Sequence, residues 1–291
     1  MKGPGVGKWR SEAARQRFIE MEDELWREHW PAPPNALDVP TFAGTTRVYR
    51  WEGAGDAVVF LHGMGGTGLT WSPYVERLTG WDVYAIDTIG DVGRSTQRAV
   101  IEDCHGLATW LDETLAGAGV DHAHLAGTSY GGFIALNLAS RTPQRVASLT
   151  LIDSGGLAPF RLVRFMLWGM PMLLGSLAPR RLREHLARTR PMLEDPRVMQ
   201  MALHAQRNHP FRLPKAEPLT DDELRAISAP TAVLVAEKSA PFDSKVQAER
   251  AELIPNADVE VIPGAKHELS WTHVDECVAQ LTRVATLDRT D

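Results

Sequence analysis

The sequence is poor in the features that identify several large classes of protein. Its 291 residues include only two cysteines, Cys104 and Cys277, too few for a disulfide framework and without the spacing of a metal site. We expect both to be buried thiols. The net charge is −6 and the lysines and arginines are dispersed, which argues against a nucleic-acid surface. No metal, cofactor or nucleic-acid partner is therefore predicted.

Long uninterrupted apolar runs are also absent. Residues 1–10 lack the apolar centre of a secretory signal peptide. The longest apolar run, 160–177, is broken by Arg161, Arg164 and Pro171, so it lacks the composition of a transmembrane helix. The sequence thus predicts a cytoplasmic protein with no membrane span, and it does not indicate the oligomeric state.

What the sequence does contain is short apolar runs separated by helical patterns. Apolar residues make up 44% of the chain, which is enough for one core and a small second layer. Strands are predicted at 57–61, 83–87, 120–125, 145–153, 230–236 and 257–263, with two edge strands at 37–41 and 46–51. Helices are predicted at 11–29, 103–117, 133–140 and 274–284. Strands that alternate with helices predict a parallel sheet with right-handed crossovers.

A Gly-x-Ser-x-Gly motif lies between the strand at 120–125 and the helix at 133–140. It consists of Gly127, Ser129 and Gly131. A serine on a sharp strand-to-helix turn has its hydroxyl exposed at the end of a sheet, and glycines flank it where the backbone approaches too closely for a Cβ. The helix that follows directs N–H groups towards an anion beside the serine. By itself the motif is also compatible with an ordinary glycine-rich turn.

Three further motifs each follow a predicted strand. His62-Gly63 is followed by a glycine cluster, Asp87 is followed by Gly90, Gly93 and Ser95, and Gly264-Ala265-Lys266-His267 comes after the last strand. With the Gly-x-Ser-x-Gly motif they stand in the order and at the spacings of the α/β-hydrolase fold family, which the chain resembles over roughly 46–281. This resemblance implies an α/β fold with a mostly parallel sheet, flanked by helices and carrying an inserted helical cap.

The resemblance also implies a division of the chain. An N-terminal helix and linker are expected at 1–40, the α/β-hydrolase core at 41–153 and 229–291, and the cap at 154–228. Within the cap the sequence predicts helices at 160–175, 179–188, 196–208 and 220–227. The first of these is rich in Met and Leu, which suits both packing on the core and an adaptable apolar pocket for a small-molecule substrate.

Ser129 is a weak nucleophile until a base removes its proton. His267 follows the last strand, where it can return to the serine, and the resemblance assigns it this role. His62 is expected to be a structural part of the loop after the first buried strand, as in the family. The other histidines are expected at the surface or in the cap: His29, His105, His122, His124, His185, His204, His209 and His273.

The acid that orients the histidine is the point at which this sequence departs from the family. The position that commonly carries it holds Ser239, which supplies no negative charge. Asp153, at the end of a strand, is the preferred substitute. Asp243 competes with it but also suits the N-cap of a helix starting near residue 244, and Glu237 is expected to point away. A triad with no carboxylate is the remaining alternative.

Backbone N–H groups of Tyr130 and Met64 are expected to form an oxyanion hole, because they adjoin Ser129 and the His62-Gly63 loop. Asp87, Gly90 and Gly93 are interpreted as loop architecture. The resulting hypothesis is a serine hydrolase of an ester, thioester or related acyl bond, acting through an acyl-enzyme. The alternatives are a non-hydrolytic lyase or cyclase, which the serine at 239 favours, and a silent ligand-binding protein. Dehalogenase and epoxide hydrolase chemistry is disfavoured, because those relatives carry Asp at the nucleophile position.

Overall fold

The computed structural model describes residues 3–29, 33–167 and 195–287 of the chain. The predicted cap helix at 179–188 and the second half of the one at 160–175 lie outside these ranges. The remaining predicted elements fall within them.

Nine strands of the described residues form a single sheet: β1 (Asn35–Thr41), β2 (Gly44–Trp51), β3 (Ala57–Leu61), β4 (Asp82–Ile86), β5 (Thr96–Gln97), β6 (Ala123–Thr128), β7 (Val146–Ile152), β8 (Thr231–Ala236) and β9 (Ala257–Ile262). Their order across the sheet is β1-β2-β4-β3-β6-β7-β8-β9, with β5 beside β2. The strands from β4 to β9 in this order run parallel, whereas β1 and β2 are antiparallel to their neighbours. The predicted mostly parallel sheet is confirmed.

The helices follow the predicted alternation: α1 (Glu12–His29), α2 (Ser72–Val75), α3 (Cys104–Gly117) and α4 (Tyr130–Arg141), then 162–167, Pro196–Asn208, Asp221–Arg225, Ser244–Ala251, Leu269–Thr272 and Val274–Leu287. Polar side chains define several helix starts. Asp103 accepts a hydrogen bond from Gly106 N–H at 2.9 Å, and Thr220 forms a reciprocal capping box with Glu223.

Helices cover both faces of the sheet, which is why its central strands are apolar at consecutive positions. Within β3, Val59 packs in the cluster that contains Ile134 of α4, whereas the adjacent Phe60 packs on the other face with Trp71 and Leu281. Successive side chains of a strand point to opposite faces. Burial on both faces therefore holds β3 and its neighbours at the centre of the molecule.

The N-terminal helix α1 packs between the core and the helix Pro196–Asn208. Phe18 and Leu25 of α1 share an apolar cluster with Leu69 from the core and Met201 from the other helix. Ser11 caps the start of α1, because its Oγ accepts a hydrogen bond from Ala14 N–H at 3.1 Å. The helix thus joins parts of the chain that the sequence assigned to different units.

Several sequence predictions differ from the structure. β2 is internal and not an edge strand, since it pairs with β1 on one side and β4 on the other. Because β1 starts at Asn35, the expected boundary between linker and core at 40/41 divides a strand of the sheet. Cys104 is only partly buried, whereas Cys277 is buried as expected.

The elements on either side of Ser129 also differ from their predicted limits. β6 runs from Ala123 to Thr128 and not from 120 to 125, and α4 starts at Tyr130 and not at 133. Local propensity hid the end of β6 and the start of α4, because the glycines there oppose strand and helix formation. His124 was expected at the surface or in the cap, and this was wrong: it is buried in β6, with Nδ1 2.9 Å from Ser148 Oγ.

Candidate active site

Ser129 occupies a strained turn between β6 and α4. Its φ and ψ angles are 51° and −114°, a conformation that is uncommon for a residue with a side chain. The glycines of the motif make this turn sterically feasible. A Cβ on Gly131 would lie 2.0 Å from Leu61 O, and one on Gly127 would lie 2.6 Å from Gly131 C. The motif therefore has the close backbone approach that its glycines predict.

His267 lies in the loop after β9 and reaches Ser129. Its Nε2 is 3.1 Å from Ser129 Oγ, within hydrogen-bond distance across 138 residues of sequence. The imidazole is largely buried, with 11% of its side chain exposed. In this arrangement the serine hydroxyl donates to Nε2, and the imidazole is placed to accept its proton.

Asp153 lies on the other side of the same imidazole. Its Oδ2 is 2.6 Å from His267 Nδ1, which is a short hydrogen-bond distance. Asp153 follows β7, which adjoins β6 on the side away from β3, so the two strands bring Ser129 and Asp153 to the same edge of the sheet. The side chain of Asp153 is fully buried. A buried carboxylate there fixes the tautomer in which Nδ1 carries the proton.

The two competing carboxylates have other partners. Asp243 caps the helix Ser244–Ala251, where its Oδ1 accepts hydrogen bonds from the N–H groups of Lys245 and Val246 at 3.1 and 3.3 Å. These backbone hydrogen bonds and the Arg161 guanidinium keep the pKa of Asp243 below its usual value. Glu237 Oε2 accepts from Gly264 N–H at 2.7 Å. Among the described residues, Asp153 is the carboxylate that contacts His267.

The loop after β3 lies against the nucleophile. A Cβ on Gly63 would be 3.3 Å from Ser129 Cβ. His62 holds this loop: its Nδ1 is 2.8 Å from Gly63 O and its Nε2 accepts a hydrogen bond from Thr88 N–H at 3.0 Å. This pattern assigns the proton of the neutral ring to Nδ1 and gives His62 the structural position expected of it.

The two expected oxyanion donors adjoin Ser129 from different elements. Tyr130 is the first residue of α4, and the first N–H groups of a helix have no acceptor inside the helix. Met64 follows Gly63 in the loop beside the nucleophile. The next residue, Gly65, donates its N–H to the buried Asp91 at 2.8 Å, which anchors the Met64 segment to the loop after β4.

Comparison with known proteins identifies the family. The sequence profile of the Alpha/beta hydrolase family matches residues 58–280. The chain belongs to this family. It is 26% identical over 268 residues to carboxylesterase YbfK of Bacillus subtilis (strain 168), across 87% of this chain and 88% of that protein. The uncharacterized carboxylesterase nap of the same strain is 27% identical over 271 residues, across 88% and 89%.

Solved structures share the fold of this α/β-hydrolase. The crystal structure of carboxylesterase CesB (YbfK) from Bacillus subtilis superposes with a TM-score of 0.78 at 23% identity, covering 94% of this chain and 98% of that chain. The structure of naproxen esterase from Bacillus subtilis gives 0.77 at 24% identity, covering 92% and 96%. The predicted α/β-hydrolase fold is confirmed, and the comparisons support a hydrolase enzyme.

Aromatic side chains lie beside His267 in this α/β-hydrolase. The ring centroids of Phe242 and Phe165 lie 5.8 and 6.4 Å from that of the imidazole. Phe160 contacts both rings, at 5.2 Å from Phe165 and 6.0 Å from Phe242. Because two of these rings belong to the segment predicted as the cap, that segment gives the candidate site apolar surroundings.

A buried charge network, which the sequence analysis did not reveal, lies behind the loop that carries Met64. Asp87 accepts hydrogen bonds from Gly68 N–H and Arg94 N–H at 2.8 and 2.9 Å, consistent with its interpretation as loop architecture. The Arg94 side chain binds the buried Glu22 of α1, with Nε and Oε2 2.9 Å apart. Burial, reinforced by the charge of Asp87, raises the pKa of Glu22 to about 7 in spite of Arg94.

Two kinds of feature are absent from residues 3–29, 33–167 and 195–287. In those ranges no helix is both long and apolar enough to cross a membrane. The same ranges contain no group of three or more His, Cys, Asp or Glu side chains that could hold a metal ion.

Proposed function

We propose that this α/β-hydrolase cleaves an ester, thioester or related acyl bond of a small, largely apolar substrate through an acyl-enzyme on Ser129. The observation that carries the proposal is the continuous contact from Asp153 to His267 to Ser129, with distances of 2.6 and 3.1 Å. In this order of contacts an acid orients a base, and the base activates a nucleophile.

The reaction has two acyl-transfer steps. Ser129 Oγ attacks the carbonyl carbon while its proton passes to His267 Nε2, and Asp153 stabilises the imidazolium through Nδ1–H. The oxyanion that forms accepts hydrogen bonds from the N–H groups of Met64 and Tyr130, each worth on the order of 3 kcal/mol in the transition state. The alcohol or thiol departs with the proton from His267. Water then attacks the acyl-enzyme with His267 as base and restores the free serine.

Two kinds of support favour an apolar ester. YbfK and nap are named carboxylesterases, and both are similar to this chain over most of their length. The phenylalanines 160, 165 and 242 place apolar surface beside His267, where an acyl or leaving group of similar character would lie. The assignment of Phe160 and Phe165 to a cap remains a prediction from the sequence. The cytoplasmic location of the protein also remains a prediction.

The lyase or cyclase alternative depends on the absence of an acid at position 239. Asp153 disfavours this alternative, because it provides a carboxylate to His267 from another strand. A silent binding protein is disfavoured for a related reason, since Ser129 and His267 lie within hydrogen-bond distance of each other.

The test is active-site labelling of the full chain combined with a panel of esters. A fluorophosphonate probe should label Ser129, as mapped by mass spectrometry, and Ser129→Ala should abolish the label while the control Ser140→Ala retains it. The same protein should hydrolyse p-nitrophenyl esters of graded acyl length. Labelling elsewhere would contradict the assigned nucleophile. Labelling of Ser129 without turnover of any ester or thioester would instead favour the non-hydrolytic alternative.

A further inference from the structure

Ser239, the residue that replaces the expected acid, contacts the carboxylate that serves in its place. Its Oγ donates a hydrogen bond to Asp153 Oδ2 at 2.7 Å. This is the same oxygen that lies 2.6 Å from His267 Nδ1. Ser239 is buried, so the contact lies out of bulk water, where a hydrogen bond to an ionised group is strong.

The other carboxylate oxygen is held less firmly. Asp153 Oδ1 accepts from Ala236 N–H at the longer distance of 3.4 Å. Rotation of the carboxylate about its Cβ–Cγ bond would move Oδ2 away from His267, and Ser239 opposes that rotation because its hydroxyl fixes Oδ2. The turn that carries Ser239 is itself closed by a hydrogen bond from its N–H to Ala236 O at 3.1 Å. The serine thus acts from a fixed position.

We propose that Ser239 is a positioning residue for Asp153, and that its hydroxyl selects the carboxylate orientation in which Oδ2 accepts the Nδ1 proton of His267. Ser239 contacts neither His267 nor Ser129 in the hydrogen bonds of the described residues; it acts through Asp153. The inference rests on the function proposed above and assigns a use to the position that departs from the family.

The first test compares the loss of two buried serine hydroxyls. Ser239→Ala should lower kcat for an acyl ester about tenfold with KM nearly unchanged, because the residue lies behind the acid and does not contact substrate. Ser148→Ala is the matched control. Ser148 lies in β7, where its buried hydroxyl contacts His124 at the end of the strand away from Ser129. Removing this hydroxyl should leave kcat unchanged. Equal losses in both variants, or a kcat of Ser239→Ala within twofold of the parent value, would overturn the proposal.

A second measurement does not depend on turnover. The Nδ1 proton of His267, held between two polar atoms at 2.6 Å, should give a strongly downfield proton resonance by NMR. Ser239→Ala should move or broaden this resonance, while Ser148→Ala should not. An unchanged resonance in folded Ser239→Ala would contradict the positioning role even if no ester is a substrate. Failure of the proposed function appears separately, as absent labelling at Ser129.

A third variant moves the acid from position 153 to position 239. Since Ser239 Oγ lies 2.7 Å from Asp153 Oδ2, an aspartate at 239 would place its carboxylate close to the present site of Oδ2 once residue 153 is shortened. Glycine suits the positive φ of position 153. The double variant Asp153→Gly with Ser239→Asp should have a kcat at least tenfold higher than that of Asp153→Gly alone. No recovery in a folded double variant would contradict the proposed role of position 239 in orienting the acceptor of the His267 Nδ1 proton.

Discussion

Ser129 and Asp153 share a strained backbone conformation at the ends of two neighbouring parallel strands. Their φ angles are 51° and 41°, and among the described residues they are the non-glycine positions with positive φ. The two turns are hydrogen-bonded to each other, because Ser129 N–H donates to Ile152 O and Gly155 N–H donates to Ser129 O. Such strain costs roughly 1–3 kcal/mol per residue and persists where surrounding structure enforces it. Here the strain lies at the two residues that contact His267 from opposite sides, Ser129 and Asp153.

Replacing the nucleophile or the base should inactivate the enzyme without unfolding it. We expect Ser129→Ala and His267→Ala each to lower kcat by on the order of 10⁶, since the two residues act as one unit. Ester hydrolysis and thermal unfolding of each variant provide the measurement. The double variant should be no slower than either single one, and a further large loss in the double variant would contradict the coupling.

The two candidate acids should differ sharply when each is changed to asparagine. Asp153→Asn should lower kcat about 10⁴-fold, because an amide cannot hold His267 in the required tautomer or stabilise its charge. Asp243→Asn serves as the matched variant and should cost little, because asparagine also caps the helix Ser244–Ala251. Steady-state kinetics of the pair check this, and the reverse ranking would assign the acid to Asp243.

Loss of Asp91, which anchors the Met64 segment through Gly65 N–H, should change kcat more than KM. Asp91→Ala removes the acceptor of Gly65 N–H and so loosens the loop that carries the expected oxyanion donor. We expect kcat to fall roughly tenfold to a hundredfold with little change in KM, less than the full loss of a donor. The exposed Asp121→Ala is the control. A rise in KM at unchanged kcat would assign Asp91 to substrate binding.

Glu22 should make stability decrease with rising pH. Its pKa is about 7 in the folded protein, above the ordinary glutamate value of 4.5, so between these pH values the folded state holds a proton that the unfolded state has released. The free energy of unfolding therefore falls as pH rises through this window, by at most about 3 kcal/mol. Urea unfolding at pH 5 and pH 7.5 should show this fall for the parent protein and a smaller one for Glu22→Gln. Equal pH dependence in both would exclude Glu22 as the cause.

Much of the fold could be predicted from local sequence patterns. The strands at Ala57–Leu61 and Ala257–Ile262 and the helix Pro196–Asn208 lie within one residue of their predicted limits, because buried strands and amphipathic helices have distinct apolar periods. The limits around Ser129 were less accurate. There the steric needs of the turn outweigh local propensity, and the neighbouring strands β3 and β7 determine where β6 ends.

The sequence by itself determined the family, the turn that carries Ser129 and the histidine that returns to it, since motifs adjacent in the chain encode these. Only the tertiary structure decided which carboxylate contacts His267 and what replaced the acid at position 239. Asp153 and His267 are 114 residues apart, and Ser239 is 86 residues from Asp153. Their contacts depend on the order of β6, β7 and β8 across the sheet. Strand order arises from long-range pairing and burial, which no local pattern in the chain specifies.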